Sequence, residues 1–209
     1  RPMALKAIED VEFKPEYAKK RMIDWLQNMG DWNFSRSRFY GLPLPFYVCE
    51  KCGKVHVIGS LEELKKRATS PELVDKLPNI HRPWIDDIKI KCDCGEEVSR
   101  VQDVGDVWHD AGITPFSTKK YFTDKKFFEE NFPSDYVCEM IEQIKLWFYS
   151  LLIMSVVLTG KAPYKKLVTY QYVKDEHGGE FHKSGGNSLE GDIVGDKVGA
   201  DVGRDLYSS

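Results

Sequence analysis

The chain has 209 residues, of which 42% are hydrophobic and 30% charged, and its formal net charge is −3. That is enough chain to bury a sizeable core, and too apolar a composition for a disordered tail. A slightly acidic balance gives no general field to attract nucleic acid, so contact with RNA requires a local basic patch or a part of the protein outside this chain.

No basic-then-apolar leader is visible, and the opening RPMALKAIED reads as the interior of something longer, an excised piece. The five cysteines are therefore read as thiols of a reducing compartment, and a cytoplasmic location is expected. Residues 15–29 place Tyr17, Met22, Trp25, Leu26 and Met29 near the helical period, with Gly30 as a natural stop. Residues 41–48 alternate Leu42, Leu44, Phe46 and Val48 around Pro43 and Pro45, which excludes a central strand and leaves an edge or irregular extended segment. From 49 to 100 the composition turns to charges, turns and cysteines, with a short helix expected at 61–68, and this shift marks an inserted module. The apolar run 146–158 (LWFYSLLIMSVVL) is short for a bilayer span and reads as a buried core helix. After Gly160 and Pro163, residues 164–173 have the β-branched and aromatic content of a strand. Helix followed by strand is what half of a parallel α/β sheet looks like.

Cys49-Glu50-Lys51-Cys52-Gly53 and Cys92-Asp93-Cys94-Gly95 are two candidate metal knuckles. In each, a glycine lets the chain turn tightly enough for two thiolates to face one ion, and four soft ligands select structural zinc. The plainer alternatives are two pairs of free thiols or, in a secreted protein, disulfides. Cys138 stands alone and is expected to be a packing residue.

Several segments match one known family in its own order. Trp32-Asn33-Phe34-Ser35-Arg36-Ser37-Arg38-Phe39-Tyr40-Gly41-Leu42-Pro43-Leu44-Pro45 resembles the W-x-I-S-R-x-R-x-W-G-x-P-I-P segment of class I aminoacyl-tRNA synthetases for branched aliphatic amino acids. His81-Arg82-Pro83-Trp84-Ile85-Asp86 resembles their H-R-P-x-x-D, and Asp106-Val107-Trp108-His109-Asp110-Ala111-Gly112 their D-V-W-F-D-S-G, with His109 and Ala111 in place of Phe and Ser. Residues 139–148 (EMIEQIKLWF) are similar to E-G-x-D-Q-x-R-G-W-F, 180–187 to K-M-S-K-S-x-G-N, and Gly199-Ala200-Asp201 with Arg204 to G-A-D-x-x-R.

The resemblance implies an α/β fold: the second half of a Rossmann-type parallel-sheet catalytic domain with an inserted zinc-ribbon-like module. The expected division is 1–48 connecting helix and start of the catalytic half, 49–100 zinc insertion, 101–175 Rossmann-type half, and 176–209 signature loop with the start of a helical region. It implies ATP, with Mg2+, and an amino acid as substrates, tRNA as partner and no membrane. Residues 139–148 look most like the isoleucine enzymes, whereas Ile113-Thr114-Pro115 also resembles some valine enzymes; isoleucine is favoured.

Glu139, Glu142 and Gln143 are spaced i, i+3, i+4 and are expected to share one face near the start of the apolar helix, where carboxylates suit the macrodipole and could hold an ammonium group or ribose hydroxyls. Read alone, they are ordinary N-terminal helix charges. The resemblance places Trp108 near the aminoacyl pocket wall; otherwise it is core. Arg36 and Arg38 are by default surface or ion-paired groups. In the loop GEFHKSGGN a phosphate-cradling P-loop fails, because His182 rather than glycine precedes Lys183. As the synthetase signature, Lys183 would reach the ATP phosphates, with His182 and Ser184 beside it. Glu180 stands where the signature has its first lysine, which replaces a positive charge by a negative one.

The family's H-I-G-H half-site has no match here, since His56-Val57-Ile58-Gly59-Ser60 lacks the last histidine. An editing domain and anticodon-binding helices are likewise expected elsewhere in a longer protein, and this chain alone is expected to be inactive. The competing expectations are a non-catalytic zinc-ribbon module that binds protein or RNA, and a decayed synthetase paralogue.

Overall fold

The computed structural model describes residues 1–188 and 190–208; Leu189 and Ser209, both within the expected 176–209 segment, lie outside the described residues. The architecture is mixed α/β, arranged around a three-stranded parallel sheet of order Glu12–Lys14, Tyr164–Tyr170, Ser134–Met140. In the central strand Leu167 lies in register with Phe13 on one side and Val137 on the other. Tyr164, Leu167 and Thr169 are buried, as the β-branched and aromatic content of this strand requires.

Parallel neighbours need a crossover. Here it is the helix Trp147–Thr159, which ends where Gly160 adopts φ 73°. With the 3₁₀ turn Ile141–Lys145 before it, the stretch of 19 residues 141–159 is long and apolar enough to cross a membrane. Phe148, Leu151, Leu152 and Val156 are instead buried in one cluster with Ala18, Met22 and Leu26 of the helix Tyr17–Asn28. Those three positions, four apart, put one face of that helix into the core.

Two expectations are corrected. Glu139, Glu142 and Gln143 do not share a helical face: Glu139 is in the strand Ser134–Met140, and the other two are in the 3₁₀ turn. The strand pairs with Tyr164–Tyr170 as far as Met140, and sheet pairing outweighs a spacing that would also suit a helix. Leu146, at φ −121° and ψ −105°, then separates the turn from the helix. Cys138 is exposed rather than a packing residue.

A second buried cluster, including Tyr47, Cys49, Leu64, Ile88, Ile90, Cys92 and Val98, belongs to the cysteine-bearing segment. It is built on two antiparallel hairpins, Phe46–Val48 with Val55–Val57 and Lys89–Lys91 with Glu97–Ser99. The helix Leu61–Arg67 packs on them; Ser60 Oγ accepts from the Glu63 N–H at 3.1 Å, the reason the helix starts there. The segment leaves and rejoins the larger half at one point, where Ser35–Arg36 pairs antiparallel with Val104–Gly105.

Beside that point the buried Arg100 guanidinium is ion-paired to Asp86 and donates to the carbonyls of Leu44 at 3.2 Å and Asp103 at 2.9 Å. Asp86 also accepts from Arg82 Nε at 2.7 Å, so the HRPWID segment is a structural clasp. Burial would push the Asp86 carboxyl up, but Arg82 and Arg100 together hold it below the usual carboxylate range. Asp86→Ala leaves Arg100 buried without its counter-charge, and a loss of about 3 kcal/mol is expected. Denaturant unfolding measures it, and a loss below about 1 kcal/mol would assign the clasp to the carbonyl bonds alone.

Candidate functional site

Three groups of side chains gather the chemistry. The first comprises Glu139 and Tyr170 at the C-terminal ends of two parallel strands, the place where ligands bind in open α/β sheets, and the start of the core helix, on which residues 107–112 pack. Glu139, half-buried next to the end of its strand, accepts from Tyr170 Oη on the neighbouring strand at 3.0 Å and from the Met140 N–H at 3.0 Å. The Glu139 carboxylate in turn raises the Tyr170 phenol above its ordinary value. Gln143 Oε1 accepts from the Trp147 N–H at 3.1 Å, capping the core helix and leaving its amide nitrogen as a donor, and Glu142 is exposed.

Trp108 is set by Asp106. The buried Asp106 carboxylate accepts from the Trp108 N–H at 3.0 Å, from Trp32 Nε1 at 3.2 Å and from the Arg36 guanidinium. Arg36 is thus ion-paired. Trp108 lines a cavity of about 360 Å³ with Trp25, Trp32, Arg36, Lys145 and Tyr149. Trp147 Nε1 donates to the Ala111 carbonyl at 3.2 Å, tying the helix Val107–Gly112 to the core helix. Gly112 permits this approach, since a Cβ there would sit 2.8 Å from the Ser150 carbonyl oxygen and 2.9 Å from Met154 Cγ.

The second group is the loop after the central strand. Lys183–Gly185 forms a single 3₁₀ turn, and His182, Lys183 and Ser184 are all exposed. The loop is shaped by Asn187, whose Nδ2 donates to Asp175 Oδ2 at 2.8 Å and to the Glu180 carbonyl at 3.1 Å, while its Oδ1 accepts from the His182 N–H at 2.9 Å. Asp175 Oδ1 accepts from the backbone N–H groups of His177 and Gly179. Lys183 Nζ lies 3.8 Å from Glu190, and His182 Nε2 lies 3.6 Å from Glu180. Among the described residues, no hydrogen bond or ion pair joins His182, Lys183 or Ser184 to Glu139, Glu142, Gln143 or Trp108.

The third group is the cysteines. All four sulfurs of Cys49, Cys52, Cys92 and Cys94 lie within 4.8 Å of one another, with Cys49 to Cys94 and Cys52 to Cys92 both 3.6 Å apart. Four bonds of about 2.3 Å in a tetrahedron place sulfurs about 3.8 Å apart, so the set fits zinc. Gly53 and Gly95 take φ of 70° and 90°, and their N–H groups turn back to the carbonyls of Cys49 and Cys92. All five cysteines are free, which removes the disulfide alternative. The Cys52 N–H draws the Cys49 thiol down to about 7. Backbone N–H groups of Lys54, Cys94 and Glu96 favour the other three thiolates, yet neighbouring sulfurs and burial push Cys52, Cys92 and Cys94 up. A divalent cation relieves that repulsion.

The profile of the class I tRNA synthetases (I, L, M and V) matches residues 1–207. The chain belongs to that family. It is 39% identical over 194 residues to the isoleucine–tRNA ligase of Methanocaldococcus jannaschii, covering 93% of this chain and 18% of that protein. To the isoleucine–tRNA ligase of Pyrobaculum aerophilum it is 44% identical over 201 residues, covering 96% and 20%. The chain thus spans about a fifth of the length of the curated relatives it matches. A solved ternary complex, Agrobacterium radiobacter K84 agnB2 LeuRS with tRNA and LeuAMS, shares the fold with a TM-score of 0.58 at 20% identity, covering 90% of this chain and 26% of that one.

Within this synthetase chain, sequence reasoning singled out neither Asp106 nor the Asp175–Asn187 pair as organisers. Their signal was present, since an acidic residue two before Trp108 is a helix N-cap, and Asp175 with Gly178 and Gly179 spells an Asx turn. Burial works to raise the Asp106 carboxyl, but the Trp108 N–H, Trp32 and Arg36 hold it below the usual range. Its stabilisation is therefore complete above the unfolded value of about 3.9 and is lost as pH falls through the lower folded value. Asp106→Asn should cost about 1–3 kcal/mol at pH 7 and should flatten the acid limb of the stability curve below about pH 4. Equal stability at pH 7, by denaturant titration, would show that the junction does not rest on this charge.

Proposed function

We propose that this chain is the second half of the catalytic domain of an isoleucine–tRNA ligase, which activates isoleucine with ATP as an adenylate and transfers it to tRNA in the cytoplasm. The observation that carries this is Glu139 with Tyr170 at the ends of two parallel strands, followed by Gln143 with Trp147 at the start of the core helix, in a chain whose relatives named isoleucine–tRNA ligase align over nearly its whole length. Glu139, fixed by Tyr170, is a carboxylate for the amino acid's ammonium group. Glu142 and the free amide nitrogen of Gln143 suit ribose hydroxyls, and Trp108 a wall of the aminoacyl pocket. Lys183, exposed on a short turn, is the cation for the ATP phosphates, with His182 and Ser184 as further donors. Mg2+ accompanies ATP as a co-substrate. The division at 1–48, 49–100, 101–175 and 176–209 is part of this proposal.

The test is pyrophosphate exchange with isoleucine, valine and leucine, on this chain alone and on the chain joined to a matching first half of the domain. Exchange is expected only in the joined protein and only with isoleucine, and Lys183→Ala should lower it at least about 100-fold, as loss of a group that stabilises transition-state charge does. Valine-dependent exchange would make the chain a valine-type fragment.

One observation favours a second reading. Lys183 and His182 of the loop face nearby acidic residues, Glu190 and Glu180 respectively, which suits a decayed paralogue that holds adenylates weakly. Absence of exchange in the joined protein, with adenylate still bound, would select it.

The four cysteines are proposed as a structural zinc site, since four protein ligands leave no open position for chemistry. The purified chain should carry about one zinc per molecule by elemental analysis, and Cys92→Ser should lose both the metal and the folding of the second core. A metal-free but folded wild-type chain would refute it.

A further inference from the structure

A histidine that the synthetase chemistry does not use lies against the cysteines. His56, on the strand Val55–Val57, is only 3% exposed, while Val55 and Val57 on either side point outward. Its Nε2 lies 3.2 Å from Cys92 Sγ and its Nδ1 lies 2.8 Å from Arg67 Nη2. His56 lies outside the group of four sulfurs that come within 4.8 Å of one another. Arg67 lies 3.7 Å from Asp93, the residue between the second pair of cysteines, and Asp93 is also ion-paired to Lys54.

The tautomer follows from the donors. A guanidinium offers only N–H groups, so His56 Nδ1 has to be the acceptor, and the ring proton sits on Nε2, aimed at the Cys92 sulfur. Four thiolates on one divalent ion leave a net negative charge, and a hydrogen bond to one of them offsets part of the mutual repulsion, so the set gives up its metal more slowly to acid or a competing chelator. Asp93 closes the chain of contacts by bringing Arg67 back to the knuckle it serves.

We propose that His56, fixed by Arg67 as an Nε2–H donor to the Cys92 thiolate, is a positioning residue that slows loss of metal from the four-cysteine site. This rests on the zinc reading above. Partners of this kind, one shell out from the metal, typically change metal affinity about 10–100-fold.

The test uses this chain loaded with zinc, and separately with cobalt as a spectroscopic substitute. Zinc release to a chromogenic chelator is expected to be at least about 10-fold faster in His56→Phe, which keeps a ring but has no donor. His56→Gln, whose amide can replace Nε2–H, should release zinc at close to the wild-type rate. Arg67→Met, which frees the ring to change tautomer, should fall between the two. In the cobalt form, His56→Phe should shift the thiolate-to-metal charge-transfer band to lower energy while the tetrahedral ligand-field bands keep their intensity. Wild-type release rates and an unshifted band in His56→Phe would overturn the proposal. If that variant does not fold, equal release from His56→Gln, Arg67→Met and wild type would overturn it as well. A wild-type chain that takes up neither zinc nor cobalt would instead refute the zinc reading itself, and the proposal with it.

Discussion

One carboxylate holds the chain together across its longest detour. Asp106 accepts from Trp32 and Arg36, which precede the cysteine-bearing segment, and from the Trp108 N–H, which follows it. The strand pairing at the same junction, Ser35–Arg36 with Val104–Gly105, is prolonged by bridges of Pro43 with Val104 and Tyr47 with Arg100. Backbone pairing sets the two legs of the 70-residue excursion between Arg36 and Asp106 side by side. A buried acceptor with three donors ties them further, because each bond left unmade would cost a desolvated polar group. The position of Trp108, and with it the wall of the candidate pocket, is thus a consequence of how the insertion is closed.

The inserted segment has a different basis for its stability. Its core is small and separate from the one under the parallel sheet, and two of its buried members are Cys49 and Cys92. A core of that size needs a further constraint, and the proposed zinc on the four sulfurs would supply one. The surface ion pairs around the knuckles, Lys51 with Glu96 and Lys54 with Asp93, are exposed and contribute little by comparison. The buried Arg100–Asp86 pair instead fixes how the segment is seated, since its geometry is satisfied by carbonyls from both sides of the insertion.

The candidate site combines parts of differing rigidity. Trp147 belongs to the core helix, and its orientation is inherited from buried packing and from Gly112, where only a glycine lets the two helices meet, whereas Glu139 is held by Tyr170 and the Met140 N–H. The loop bearing Lys183 rests on hydrogen bonds among exposed or half-buried groups, with Asn187 as the hub. Such a loop can rearrange at small cost, whereas the Trp147 side cannot.

The sequence alone determined the local elements and the chemical vocabulary. Residues 15–29, 61–68 and 146–158 were legible as helices because their apolar spacing or run is local, and Gly30 and Gly160 mark ends that depend on neighbouring residues only. The cysteine knuckles were legible for the same reason, since a glycine after the cysteines is a turn signal in itself. Tertiary structure decided what distant residues do to one another. The i, i+3, i+4 spacing of Glu139, Glu142 and Gln143 gave a helical face only until Tyr164–Tyr170 claimed the segment up to Met140 as a strand. Likewise Cys138 alternates to the exposed side of that strand, and His56 becomes a partner of Cys92 only when two hairpins 36 residues apart pack together. Periodicity is a property of a few consecutive residues, but pairing, burial and a ring's tautomer are set by whatever the fold brings alongside.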